Sequence, residues 1–481
     1  MRILLVQPGK PLRAMGMPCL VAPLGLLMVA SSVPNHTCRV FDMRLEEDGA
    51  FERTLVRFRP YIVCLTALSV EAEVTKALAQ RAKCVLPEAT VVWGGYHATL
   101  ATEDALSEPG VDIVVCGEGE KTFPELVEAI ARGGPYDGVA GITFRRDGEI
   151  VRTPPRPLIK SLDTLPFPPW ELVSRYWPHY HLGLMGGPAG LVETSRGCPN
   201  RCIFCSVPKF HGGKYRVKSP ARVIAELKRL PRQIRFVAFV DDNFFAGRRR
   251  ALEIARQISN LNRRHWRGER WRYWAQASPR DIAEQPSLVE QWSGIGLNML
   301  LVGIESLDEE EVVRHGKRAT VVQAREALEI MRGYGVEAWA CFIVDPKTWG
   351  EENFDALKEF LLQEKVAVLQ LTFLTALPGT ELSRRLLARG LRPSQVFPLA
   401  DFLHLPRGLR TRLGRKRLFE RMAEMYRATG LHSLESYHRL VRAGVIDRGW
   451  LRSEAGRQAM MVFAQLCDWK EYVKAHRLVR T

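Results

Sequence analysis

Three thiols lie within eight residues in Cys198-Pro-Asn-Arg-Cys202-Ile-Phe-Cys205, directly after an apolar run that ends in Glu193-Thr194-Ser195-Arg196-Gly197. Spacings of three and two residues let one tight loop turn all three sulfurs towards a common point. Three thiolates can hold three irons of a cubane [4Fe–4S] cluster and leave the fourth iron open. A closed four-cysteine set suits electron transfer, whereas an open iron can bind and cleave a substrate. The other chemistry of this donor set is a Cys3His structural zinc site formed with His211. Zinc sites more often use two separated C-x2-C pairs, and no second pair occurs in the chain. A zinc-stabilised nucleic-acid-binding protein is therefore the rival class to an iron–sulfur enzyme.

Composition bounds both. A chain of 481 residues with 46% hydrophobic and 25% charged residues is long enough for two or three globular domains. Its ten cysteines, three clustered and the rest scattered, do not form a disulfide framework, so a reducing cytoplasm is the expected setting. Met17 to Val33 is mostly apolar and follows Arg2, Lys10 and Arg13, as in a signal peptide. Pro18 and Pro23 interrupt it, and strand, loop and helix are expected there instead.

The net charge of +16 has two visible sources, Arg263 to Arg272 with Trp266 and Trp271, and Arg407 to Arg421 with seven basic residues in fifteen. Solvated helix faces are one explanation. Peripheral contact with the inner membrane face, or a carboxylated substrate, is the functional alternative. No recognised nucleic-acid module accompanies these patches, so nucleic acid is not the expected partner.

The elements that must position the thiols follow from periodicity. Residues 1–150 alternate short apolar runs (Ile3–Gln7, Cys38–Asp42, Ile62–Ala67, Thr90–Gly94 and Ile113–Cys116) with amphipathic stretches such as Val70–Leu86 and Thr102–Leu106. This predicts an α/β class with a doubly wound, Rossmann-like parallel sheet. Such sheets bind ligands at the carboxyl ends of their strands. The loops there, Leu68-Ser69-Val70, Gly94-Gly95-Tyr96-His97 and Gly117-Glu118-Gly119-Glu120, offer backbone that can approach a cofactor closely. Residues 151–190, rich in proline (Pro154, Pro155, Pro157, Pro166, Pro168 and Pro169), are expected to run as a linker over the surface.

From Leu191, six strand candidates (Leu191–Thr194, Ile234–Val240, Tyr273–Ala277, Met299–Ile304, Val336–Val344 and Val368–Leu374) alternate with helical intervals. They predict a partial (β/α)6 barrel over 191–385, with the thiol loop at its C-terminal mouth, where such barrels place chemistry. Residues 386–481 are expected to be mainly helical and to cap the barrel.

The C-x3-C-x2-C spacing of Cys198, Cys202 and Cys205 resembles the signature of the radical S-adenosylmethionine (SAM) superfamily. There, the open iron of a [4Fe–4S] cluster chelates the amino and carboxylate groups of SAM. Phe204 resembles the aromatic residue whose backbone meets the adenine. Gln276, Glu305 and Ser306, at strand ends, match SAM contacts of that family. Asp242 and Asn243 stand between helix capping and ligand contact, and Lys317 and Arg318 are expected to be solvated. The Gly-Gly-Glu motif usual after the second strand is absent.

Gly94-Gly95-Tyr96-His97-Ala98-Thr99 and Cys116-Gly117-Glu118-Gly119-Glu120 resemble loops of the cobalamin-binding domain found ahead of many radical SAM enzymes. This likeness assigns Ser69, Gly94, Gly95, His97, Gly117 and Glu118 to cobalamin. The cobalt-ligating D-x-H-x-x-G motif is absent, so a base-off cobalamin without a protein histidine on cobalt is expected, and His97 is better explained as a satisfied loop histidine. Leu377 to Leu382 matches the tandem family. Asp401-Phe402-Leu403-His404-Leu405-Pro406 resembles the branch of hopanoid C-3 methylases and bacteriochlorophyll side-chain methylases.

The resemblance implies a cobalamin-dependent radical SAM methyltransferase. It would methylate an unactivated carbon of a bulky apolar substrate, a hopanoid or a tetrapyrrole, through a 5′-deoxyadenosyl radical and methylcobalamin. A reductant such as flavodoxin or ferredoxin would serve it. A non-methylating cyclase of the anaerobic Mg-protoporphyrin ester type is the enzymatic alternative.

Overall fold

In the computed structural model, residues 1–9, 19–265, 271–391, 405, 409–429, 434–446 and 452 are described. Most of Asp401–Pro406 and the centre of the Arg263–Arg272 cluster, including Trp266, lie outside them.

The first sheet has seven strands: β1 (Arg2–Gln7), β2 (Thr37–Asp42), β3 (Ile62–Thr66), β4 (Thr90–Gly94), β5 (Ile113–Val115), β6 (Ile142–Arg146) and β7 (Glu149–Arg152). They are ordered β2-β1-β3-β4-β5-β6-β7, the first five parallel and the last two antiparallel. Ile3, Leu4, Leu5 and Val6 are fully buried, which is why β1 is an unbroken apolar run rather than an alternating one. The order places β1 between β2 and β3, so the chain winds both ways from β1 and opens a crevice beyond the carboxyl ends of β1 and β3.

The β6–β7 hairpin was not foreseen. Its two-residue turn, Asp147-Gly148, has positive φ at both positions (52° and 84°), as an Asp-Gly hairpin turn requires.

The second sheet has six parallel strands in sequential order: β8 (Ala189–Val192), β9 (Phe236–Phe239), β10 (Arg272–Ala277), β11 (Leu297–Glu305), β12 (Glu337–Val344) and β13 (Val368–Phe373). Helices fall between them, among them Pro220–Leu227, Arg248–His265, Val321–Gly333 and Glu351–Gln363. β8 and β13 remain edges, which is the open, partial barrel expected from the spacing.

The segment between the sheets corrects the expectation of a surface linker. Several of its prolines are exposed, but Trp170, Val173, Tyr176, Trp177 and Tyr180 are buried in the core shared by both sheets. Tyr180 Oη donates to the buried Asp42 Oδ2 at 3.1 Å, and Asp42 N donates to Tyr176 Oη at 3.2 Å. Cys19 and Leu20 pair antiparallel with Leu182 and His181. These aromatics wedge the two domains together, a role that proline content alone does not reveal.

At the C-terminal end, helix Arg415–Ala428 packs on helix Glu351–Gln363, and its Tyr426 Oη accepts from Leu371 N of β13 at 3.0 Å. Three of the described basic residues of the run from Arg407, Arg412, Arg417 and Arg421, are paired at this contact. Arg412 meets Glu352 at 2.6 Å, Arg417 meets Glu351 at 2.6 Å, and Arg421 bonds Glu424 at 2.7 Å and also Asp355. Ion pairing within the chain thus accounts for these three charges. Among the described residues no helix is long and apolar enough to cross a membrane.

Candidate functional site

The thiol loop leaves the mouth of β8. Ser195 and Arg196 pair with Val217 and Arg216, and Gly197 follows at φ +87°, where a Cβ would run into the Lys214 carbonyl. Gly197 N donates to Asp242 Oδ2 at 3.1 Å, so the carboxylate at the end of the second barrel strand holds the start of the loop. Further along, Ile203 N donates to His315 O at 2.9 Å and Leu382 N donates to Ile203 O at 3.0 Å. The loop is therefore pinned to segments that follow three different barrel strands, β9, β11 and β13.

All three cysteines are free and partly buried. Burial pushes the Cys198 and Cys205 thiols up, and each also feels the charge of its neighbours in the triad. Soft thiolate donors on one pinned loop fit an iron–sulfur cluster. The zinc alternative loses its fourth ligand. Arg216 Nη2 donates to His211 Nδ1 at 3.1 Å, which leaves the proton on Nε2, bonded to Tyr96 Oη at 3.3 Å. Burial, with Arg216 nearby, pushes His211 down to about 4, so it stays neutral with both nitrogens engaged.

Beside the loop lies a cavity of about 790 Å³, walled on one side by the first domain and on the other by the barrel; Arg196, Ser206 and Val207, which flank the thiols, line it, and the three cysteines themselves do not. Gly94, Gly95, Gly117, Glu118 and Gln276 line it, as do Leu26, Val29, Phe123, Trp274, Leu301 and Trp339. Gly95 (φ +94°) stands where a Cβ would come within 2.6 Å of Thr66 Oγ1, and a Cβ on Gly117 (φ +82°) would project into open space. Bare backbone at the carboxyl ends of β4 and β5 fits the close approach of a flat macrocycle such as cobalamin. Asp242 and Gln276 bring polar groups from the barrel to the same cavity.

Several expected site residues are elsewhere. His97 is 2% exposed and stacks on Trp93; its Nε2 meets Asp104 Oδ2 at 2.9 Å and its Nδ1 meets Ser69 Oγ at 3.3 Å. Neither His97 nor Ser69 lines the cavity, so the histidine is a satisfied loop residue and the serine its partner. Glu118 reaches the cavity, but its oxygens are taken by Arg196 Nη1 at 2.7 Å, Arg216 Nη1 at 2.9 Å and Ile159 N at 2.7 Å. Burial pushes its carboxyl up, and the guanidinium bonds of Arg216 and Arg196 outweigh this and hold it below the ordinary range.

Ser306 Oγ donates to Glu311 Oε2 at 2.5 Å and accepts Asp308 N at 3.1 Å, which makes it a turn residue. Phe204 packs edge-on against His315 with ring centroids 5.6 Å apart. Glu305 is paired with Lys317, which is buried rather than solvated.

The structure also adds residues that spacing alone did not single out. Tyr96 stacks on Phe210 at 4.1 Å and ties the Gly94-Gly95 loop to the helix after the thiols. Arg196 joins three carboxylates from both domains. Glu71, 8% exposed, lines the cavity, accepting Leu68 N at 2.9 Å and Gln7 Nε2 at 3.4 Å.

Burial raises the Glu71 carboxyl to about 7, against a partial lowering by the Leu68 N–H and Arg44. Its folded form prefers the proton, so its contribution to stability is complete below the ordinary carboxylate range and is lost as pH rises through about 7. Glu71→Gln is expected to gain up to about 3 kcal/mol over the parent at alkaline pH and little at acid pH. Thermal unfolding of both forms at about pH 5 and pH 8 checks this; an unchanged difference between the two pH values contradicts it.

Comparison with known proteins agrees with this geometry. A family model for the B12 binding domain matches residues 19–127, and one for the radical SAM superfamily matches residues 192–361. The chain is 32% identical over 376 residues to the uncharacterized methyltransferase PH0819 of Pyrococcus horikoshii, covering 77% of this chain and 79% of that one. It is 32% identical over 388 residues to hopanoid C-3 methylase of Methylococcus capsulatus, covering 79% and 72%. Among solved structures, the radical SAM methyltransferase TsrM of Kitasatospora setae, with cobalamin and a [4Fe–4S] cluster bound, superposes with a TM-score of 0.70. That match is 17% identical and covers 97% of this chain and 99% of the other; it speaks for the fold.

Proposed function

The chain belongs to the radical SAM enzymes that carry an N-terminal cobalamin-binding domain, and we propose that it transfers a methyl group to a carbon of a bulky apolar molecule of hopanoid or tetrapyrrole type. The observation that carries this is the cavity of about 790 Å³, in which bare glycine loops of one domain face the barrel mouth across largely apolar walls. The cofactors of this family are a [4Fe–4S] cluster, SAM and cobalamin, which together supply a carbon-centred radical and a methyl group.

The chain's own residues bind, orient and exclude water. Cys198, Cys202 and Cys205 would hold the cluster. Gln276 and Asp242 offer hydrogen-bonding groups on the barrel side, where SAM would lie. Gly94, Gly95 and Gly117 leave room for the corrin, while Leu26, Val29, Phe123, Trp274, Leu301 and Trp339 make a dry wall suited to an apolar substrate. The Arg196 ion-pair cluster and the Trp170–Tyr180 aromatics keep the two halves of the cavity in register.

Deleting the gene in its host and comparing lipids and pigments tests the substrate class. The expected result is an apolar compound that lacks one methyl branch in the deletion strain. Unchanged lipids and pigments, with the change confined to polar metabolites, would overturn the class.

A further inference from the structure

Lys317 lies where no solvated lysine would. Its side chain is 8% exposed, and its Nζ donates to Glu305 Oε1 at 2.5 Å. Three features of the backbone put it there. Glu305 has φ +72°, and the ladder between β11 and β12 shifts register between Gly303 and Glu305, which turns the glutamate side chain back over the strand end. Gly303 leaves the space that the pair fills: a Cβ there would run into Glu305 Oε1 and come within 2.8 Å of Lys317 Nζ. Gly316, at φ +67°, lets the chain lie flat on the thiol loop, where a Cβ would meet Arg201 O at 3.2 Å and Cys202 Cα at 3.9 Å.

The same turn supplies His315 O, which accepts the Ile203 N–H between the second and third cysteines. So His315-Gly316-Lys317 is clamped to the thiol loop by a hydrogen bond and by close backbone contact, and it carries a buried ammonium to the side of Cys202.

The electrostatics point the same way. With its side chain 8% exposed and its Nζ bonded to Glu305 Oε1, the Lys317 ammonium is shielded from water beside the thiol loop. Cys341, on β12 beside the pair, is pushed well up by burial and adds no charge. In a dry site, one ammonium beside an anionic centre counts for far more than it would in water. Holding that ammonium costs a left-handed, non-glycine residue at Glu305, of the kind that persists at functional sites.

We propose that Lys317, held by Glu305, is a positioning residue that sets the reduction potential of the cluster on Cys198, Cys202 and Cys205. One-electron reduction by a low-potential donor adds a single negative charge to the cluster, and the buried Lys317 ammonium stabilises that charge. Glu305 screens it, so the pair sets how easily the cluster accepts its electron. This rests on the iron–sulfur assignment and concerns residues outside the thiol motif.

The test is an EPR-monitored potential titration of the anaerobically reconstituted full chain, without SAM, beside iron and sulfide analysis. Lys317→Met should move the midpoint negative and Glu305→Gln should move it positive. Each shift should be about tenfold in the reduction equilibrium, about 59 mV for one electron. The double variant should return towards the parent. Opposite signs are what a packing role would not produce. Intact clusters with unmoved midpoints, or with shifts of the same sign, would overturn the proposal. A parent chain that takes up no iron and sulfide would instead sink the cluster assignment itself. Should Lys317→Met fail to hold a cluster, Glu305→Gln decides alone: a positive shift supports the role and an unmoved midpoint ends it.

Discussion

Arg196→Met is expected to destabilise the chain by about 3–5 kcal/mol, the usual cost of stranding buried charge. Arg196 Nη1 donates to Glu118 Oε1 at 2.7 Å, Nη2 to Glu120 Oε1 at 2.5 Å and Nε to Glu193 Oε2 at 2.9 Å. Glu118 and Glu120 belong to the glycine loop of the first domain, and Glu193 and Arg196 to the barrel mouth. The guanidinium and two of its partners are at most 8% exposed, so water cannot take its place. Methionine fills similar space and offers no donor, leaving Arg216 to compensate Glu118 alone.

Urea unfolding of the parent and the variant measures the loss. Adding Glu120→Gln to the variant should recover part of it, because one uncompensated carboxylate is removed. A loss below about 1 kcal/mol, as for an exposed pair, would contradict the clamp. Arg196 is two residues from Cys198, so the interdomain clamp and the thiol loop share one piece of backbone.

Replacing any one of the three clustered cysteines is expected to abolish the cluster while sparing the fold. Cys202→Ala should lower bound iron and sulfide to background, remove the brown absorption and stop SAM cleavage. The loop's hydrogen bonds run through backbone groups, Ile203 N to His315 O and Gly197 N to Asp242, so thermal unfolding of the unloaded chain should barely move. Cys64→Ala, at a buried thiol on the wall of the same cavity, is the control and should retain iron and sulfide. Iron retained in full by Cys202→Ala would contradict the three-thiol site.

Much of the fold was legible because its strands are buried on both faces. Thr90–Gly94 and Thr102–Leu106 match to the residue, and the six barrel strands lie within two residues of their expected ends. Continuous apolar runs bounded by glycine or polar loops leave little choice. The β6–β7 hairpin escaped because Arg145-Arg146-Asp147-Gly148-Glu149 is polar, as an exposed edge can be. The segment before the barrel was misread because proline dominates its composition, while its burial is carried by Trp170, Tyr176, Trp177 and Tyr180.

At the site, the cysteines and glycines were readable because their chemistry or their conformational freedom is local. Pairings across the fold were not. Glu120 and Arg196 are 76 positions apart, and nothing in either neighbourhood announces the other. Lys317 was misplaced for the same reason. A lysine after a helix is ordinarily solvated, and only the register shift at Glu305 and the space over Gly303 show that this one is buried.

On the proposed function, the cluster loop and the cobalamin-binding loops act together in one reaction, methyl transfer to an apolar carbon. Its most direct measurement uses the reconstituted, cobalamin-loaded chain under anaerobic conditions. The chain is given a low-potential reductant, methyl-labelled SAM and a lipid and pigment extract from the deletion strain. The predicted result is labelled methyl in an apolar product, with 5′-deoxyadenosine accumulating alongside it. Formation of 5′-deoxyadenosine with the extract transformed but unlabelled would contradict methyl transfer and leave a cyclase or oxidoreductase in its place.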